Sequence, residues 1–148
     1  MVLTRADERN ERYGPLLRRL RDRFPGRLEV AGHLRVDDYY ALLWESSVQV
    51  STAGHEGFGV ATLEAMATQN FCCVPHTGAY PELLGGVSHA LFDTDEELTG
   101  KLESAVLDEG LRDETARALA DRAGAQAGSG RNPAPGDCAG TRAWPSAW

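Results

Sequence analysis

Residues 51–84 read STAGHEGFGVATLEAMATQNFCCVPHTGAYPELL. The run just before and into it, SVQVSTA (47–53), is β-branched and ends in small residues, which predicts a strand. GVATLEAMATQ (59–69) has helical composition. FCCVP (71–75) is an apolar run closed by proline, the pattern of a buried strand. YPELL (80–84) reads as a helical turn ended by Gly85 and Gly86. Strand, helix, strand and helical turn follow one another with only a few residues between them.

The same alternation continues outward. Upstream, apolar residues at 13, 16, 17, 20 and 24 repeat with helical spacing, and Pro25-Gly26 ends that helix. RLEVAGHL (27–34) predicts a strand leaving into a loop at Gly32-His33. VDDYYALLWESS predicts a helix capped by Asp37, with Tyr40, Leu43 and Trp44 as its apolar stripe. Downstream, HALF (89–92) predicts a short strand. Residues 93–108 open with a cap and acids, then place apolar residues at 98, 102, 105 and 106. Residues 111–124 predict a further helix. Strands alternating with helices imply an α/β fold, a Rossmann-like parallel sheet with helices on both faces. Ligands in such folds sit at the carboxyl ends of the strands. The composition changes from about Asp121, becoming rich in Ala, Gly and Pro without periodicity. The expected organisation is one domain over 1–124 and a disordered or irregular tail over 125–148, with Trp144 and Trp148 unusual in such a tail.

A chain of 148 residues has room for one domain with a real core. No apolar run reaches the length of a membrane span, and the start is charged from Arg5 onward, unlike a secretory signal. A cytoplasmic protein is expected. The formal charge of −7 argues against this chain alone gripping a nucleic-acid backbone. Arg18, Arg19, Arg21 and Arg23 cluster, but on a helix they form a solvated face interrupted by Asp22. Cys72 and Cys73, adjacent in an apolar run, read as buried strand residues, and the three cysteines offer no ligand spacing for zinc.

Glu56 and Glu64 stand eight residues apart around backbone with little side chain. The turn through Gly54-His55-Glu56-Gly57-Phe58-Gly59 joins a strand end to a helix start. A helix start offers unpaired N–H groups and a positive dipole end, where phosphates bind readily. Gly57 and Gly59 let a ligand approach the main chain. A carboxylate on either side can accept from hydroxyls at the two ends of an elongated ligand with phosphate between two sugar units. Glycine-rich turns are also common, and Glu64 equally suits a solvated helix position.

HEGFGVATLEAMA resembles the paired-glutamate segment of the family 4 retaining glycosyltransferases of the GT-B fold. TGAYPELL is similar to that family's acceptor-proximal loop and Pro-Glu turn. The resemblance implies that the chain is the C-terminal, donor-binding half of a GT-B fold, truncated on its N-terminal side. It implies that Glu56 touches the donor sugar as the catalytic-site acid, that Gly57, Phe58 and Gly59 supply amides, that Val60 and Ala61 line the phosphate turn, and that Glu64 holds the ribose. His55 either contacts the sugar or caps the turn. A narrower resemblance, carried by DDYYALLWESSVQVSTAGHEGFGVATLEA with YPELL, is to the tRNA-queuosine mannosyltransferases, which transfer mannose from GDP-mannose to queuosine in tRNA. Gly57 departs from that group, which commonly has a bulkier aromatic residue there.

The implied donor is a nucleotide-sugar, with GDP-mannose first, and no metal or other cofactor is expected. The implied acceptor, tRNA, fits an acidic chain only through a positive surface on a missing N-terminal domain. The isolated chain is expected to turn over nothing and at most to bind nucleotide weakly. Two other accounts are a noncatalytic nucleotide-sugar-binding module and a different enzyme on the same fold, such as an epimerase or a phosphorylase-like protein. His76 and Thr77 follow a strand and are expected at the carboxyl edge. Glu82 is expected to fix its loop by capping.

Overall fold

The computed structural model describes residues 2–4, 9–12 and 14–127. The chain divides into two compact units, Met1–Glu45 and Ser46–Trp148.

In the first unit, strand β1 (Val2–Thr4) pairs in parallel with β2 (Glu29–Gly32), placing Val2 beside Glu29 and Leu3 beside Val30. The sequence pattern did not predict β1, since three residues are too few to show alternation. Helix α1 (Gly14–Arg23) buries Leu17 and exposes its four arginines, as expected of a solvated face. Leu16 and Phe24, predicted on the apolar stripe, are exposed. Helix α2 (Val36–Glu45) starts one residue before Asp37. Asp37 therefore lies inside the first turn, where its charge meets the positive dipole end, and it is not the cap. Of the predicted stripe only Leu43 is fully buried, while Tyr40 and Trp44 are half-buried.

In the second unit, β3 (Val48–Val50), β4 (Phe71–Pro75) and β5 (Leu91–Phe92) form a parallel sheet with β4 in the middle. Val48 pairs with Phe71, Val50 with Cys73, and Val74 with Leu91. Phe71, Cys72, Cys73 and Val74 are all buried, which a central strand covered on both faces requires. The covering helices confirm this. Phe71 and Cys73 join Phe92 and Ala105 in a core against Leu98 and Leu102 of α5 (Asp95–Leu107). The intervening Cys72 directs its thiol to the carbonyl of Thr62 in α3 (Val60–Ala67). Alternate residues of a strand face opposite ways, so α3 and α5 lie on opposite faces. The α/β parallel architecture with helices on both faces is as predicted. Burial raises the thiol of Cys72 far above its ordinary range and that of Cys73 to about 11, with Lys101 opposing the second shift.

Local chemistry sets the element ends. Gln69 takes a left-handed conformation (φ 59°) after α3, and Gln69 N–H and Asn70 N–H donate to the carbonyls of Met66 and Ala65. That is the Schellman arrangement, usually made by glycine. Thr94 caps α5 by accepting from Glu97 N–H at 3.2 Å, and Glu97 returns a carboxylate to Asp93 N–H at 2.8 Å. His89 and Ala90, predicted as strand, form a 3₁₀ turn (Ser88–Ala90) instead. Helix α6 runs from Glu109 to Ala127, past the predicted end at 124, because alanines sustain it beyond Gly124. The rest of the predicted tail, with Cys138, Trp144 and Trp148, lies outside the described residues. Among the described residues, no helix is long and apolar enough to cross a membrane.

Candidate functional site

The turn between β3 and α3 lies at the carboxyl end of β3, as expected. Its path is fixed by the segment after β4. Ala79 N–H donates to the carbonyl oxygen of Glu56 at 3.1 Å. Gly78 has φ +57°, and a Cβ there would stand 2.5 Å from that same oxygen. Short helix α4 (Tyr80–Leu84) follows with Pro81 near its start. Its last carbonyls are held from α6. Arg122 Nε donates to Leu83 O at 2.6 Å, the Arg122 guanidinium also donates to Glu82 O, and Gln126 Nε2 reaches Leu83 O at 3.2 Å. Glu82, predicted as a cap, contributes its carbonyl to this clamp.

Glu56 Oε1 accepts from Gly59 N–H at 2.9 Å and from Phe58 N–H at 3.2 Å. These bonds, that from Gly59 first, hold the Glu56 carboxyl below the usual carboxylate range; His55 beside it adds slightly. The sequence expectation gave the amides of Phe58 and Gly59 to a ligand. In this structure they are taken by the protein's own carboxylate. The next helical N–H groups, of Val60, Ala61 and Thr62, precede the first intrahelical bond, which Leu63 N–H makes to Gly59 O.

Gly59 has φ +79° and lies against Leu83 and Tyr80, so glycine is needed there. Gly57 has open space around its α-carbon and no such φ. A side chain would fit at 57. Phe58 is exposed (67%), as is His55. Along α3, Thr62, Ala65 and Met66 are buried, while Val60, Ala61 and Ala67 are exposed and Glu64 half-buried. Glu64 follows Val60 by four residues and so stands on the same helix face, one turn further on. The structure thus places Glu56, Val60 and Ala61 at the exposed start of α3, with Glu64 half-buried one turn further along the helix.

His76 also lies at the carboxyl edge, its Nδ1 3.4 Å from Asp93 Oδ1. His33, exposed after β2, belongs to the first unit. A separate groove of about 710 Å³ is lined by His76, His89, Asp93, Glu97 and Lys101, among others, and by none of the predicted site residues. Sequence reasoning missed Gly78, Ser51 and Tyr80 as parts of the site. Gly78 was visible as a glycine before Pro-Glu, but its contact with Glu56 is not local in sequence.

The chain is similar to the tRNA-queuosine alpha-mannosyltransferase of Drosophila melanogaster, with 34% identity over 83 residues. The match covers 56% of this chain and 22% of that protein. No family model matches the chain, and no solved structure matches it.

Proposed function

We infer that this chain binds the donor of a retaining glycosyltransferase, with GDP-mannose as donor and queuosine in tRNA as the acceptor of the whole enzyme. One observation carries the reading. A carboxylate, Glu56, stands at the exposed start of α3 at a strand's carboxyl end with a second, Glu64, one turn along the same helix, and the similarity to a named mannosyltransferase supports it. Glu64 accepts from ribose hydroxyls. The diphosphate meets the N–H groups of Val60 and Ala61 at the positive helix end. Glu56 accepts from hexose hydroxyls. In doing so it shifts from, or shares, the amides of Phe58 and Gly59.

Stabilisation of the leaving diphosphate follows the same logic. Negative charge grows on the phosphate as the sugar departs, and fixed N–H dipoles oppose that growth without reorganising. Transfer to an acceptor is not assigned to residues of this chain. A second reading, a family 4 transferase using another sugar nucleotide, is favoured by Gly57, where the general family has glycine.

Calorimetry of the 148-residue chain with GDP-mannose, GDP and UDP-glucose tests the proposal. Preference for both guanine ligands is expected. Preference for UDP-glucose supports the second reading, and silence with all three overturns both.

A further inference from the structure

Tyr80 is almost fully buried, at 2% exposure, yet its hydroxyl reaches Ser51 Oγ at 2.9 Å. Ser51 Oγ also accepts from Ala53 N–H at 3.2 Å, and Ser51 N–H donates to Cys73 O, extending the β3–β4 ladder. The hydroxyl therefore grips the first residue of the 51–59 turn. The ring of the same tyrosine covers the last residue: a Cβ on Gly59 would lie 3.5 Å from Tyr80 Cε1 and 2.7 Å from Leu83 Cδ2. Between those two points, Gly78 and Ala79, immediately before Tyr80, hold the Glu56 carbonyl. One short segment thus touches the start, middle and end of the turn. We propose that Tyr80 is the positioning residue of this turn, acting through Ser51 to keep the Glu56 carboxylate on the Phe58 and Gly59 amides.

The assignment has a physical reason. A nine-residue glycine-containing turn has many conformations, and ordering it costs entropy in proportion. The two local hydrogen bonds that Glu56 accepts from Phe58 and Gly59 do not fix its path, because they move with it. Anchors outside the turn do, and Tyr80 supplies two through a single rigid ring. The ring cannot rotate its hydroxyl away from Ser51 without leaving Gly59. Any consequence for ligand affinity rests on the reading under Proposed function; the placement of Glu56 does not.

The test uses the full chain with ¹³C-labelled glutamate and follows the Glu56 carboxyl through an acid titration. Tyr80→Phe removes only the hydroxyl, Ser51→Ala removes its acceptor, and Ser51→Thr keeps one. Glu56 is expected to titrate higher in Tyr80→Phe and in Ser51→Ala than in the wild type, and to stay with the wild type in Ser51→Thr. A purely stabilising role of Tyr80 would lower the melting temperature and leave that titration in place. An unchanged Glu56 titration in folded Tyr80→Phe and Ser51→Ala overturns the proposal. Where GDP-mannose binds the wild type, Tyr80→Phe is expected to weaken it about 3- to 10-fold, the effect of one lost hydrogen bond. Failure of the wild type to bind any nucleotide-sugar ends the functional reading alone, since the Glu56 titration decides the positioning role without ligand.

Discussion

Gly78 and Glu56 touch through main chain alone: a Cβ on Gly78 would sit 2.5 Å from the Glu56 carbonyl oxygen, and the glycine's φ is +57°. The contact joins the segment after β4 to the turn after β3. Because the obstructing atom is backbone, no rotamer change relieves it. Gly78→Ala is expected to destabilise the chain by more than the ~1 kcal/mol of a left-handed alanine. Gly57→Ala, with open space and no left-handed φ, is expected to fall within about 0.5 kcal/mol of the wild type. Urea unfolding of both variants checks the pair, and equal losses would contradict the contact.

Glu56 gives the turn a pH dependence of known sign. Its carboxyl is held below the ordinary value by hydrogen bonds from Gly59 and then Phe58. A group with a lowered folded pKa contributes stability above its unfolded pKa, and that contribution is lost as pH falls through the folded value. Glu56→Gln is therefore expected to be less stable than the wild type near neutral pH, with the gap closing in acid. Parallel thermal melts from neutral pH downward measure it. A gap that widens in acid would show the carboxylate is not held by these amides.

Much of the second unit was legible because its signals are local. FCCVP is β4 residue for residue, and YPELL is α4, since an unbroken apolar run and a proline-led turn each state their own structure. The carboxyl-edge location of Glu56 followed from element order alone. The self-capping of that carboxylate did not, because it depends on Gly59 being left-handed and on Gly78 and Ala79 arriving from another loop. The Tyr80–Ser51 bond spans 29 residues and leaves no mark on periodicity. The end of α6 was misjudged because alanine serves helices and loose tails equally well in composition.

The adjacent cysteines face opposite sides of β4 and neither meets solvent. Burial keeps both thiols protonated at neutral pH, and the thiolate is the reactive form. Both are expected to resist alkylation by iodoacetamide in the native chain and to react once it is unfolded in urea. Mass spectrometry after a short exposure reads this directly. Rapid native labelling at Cys72 or Cys73 would contradict the packed central strand.

Gln69 occupies the left-handed position that ends α3. A residue with a Cβ pays for that conformation, whereas glycine adopts it freely. Gln69→Gly is expected to stabilise the chain by about 0.5–1 kcal/mol, partly offset by the greater freedom of the unfolded chain. Denaturant midpoints at constant slope give the value, and a net loss would place a stabilising role on the Gln69 side chain itself.

The two glutamates should separate by ligand. Glu64, half-buried one turn along α3, is proposed to hold the ribose that GDP and GDP-mannose share. Glu64→Ala is then expected to weaken both by about 10- to 100-fold, the effect of losing hydrogen bonds to a charged group. Glu56 differs because its carboxylate already occupies two amides at the helix start. Removing it frees those donors for phosphate and removes a negative charge from the same place. Glu56→Ala is therefore expected to leave GDP affinity unchanged or tighter while weakening GDP-mannose, which loses its partner for the hexose. Isothermal titration of both variants with both ligands measures all four affinities. Parallel losses of GDP and GDP-mannose in Glu56→Ala would mean that Glu56 acts by shaping the turn and not by touching the sugar.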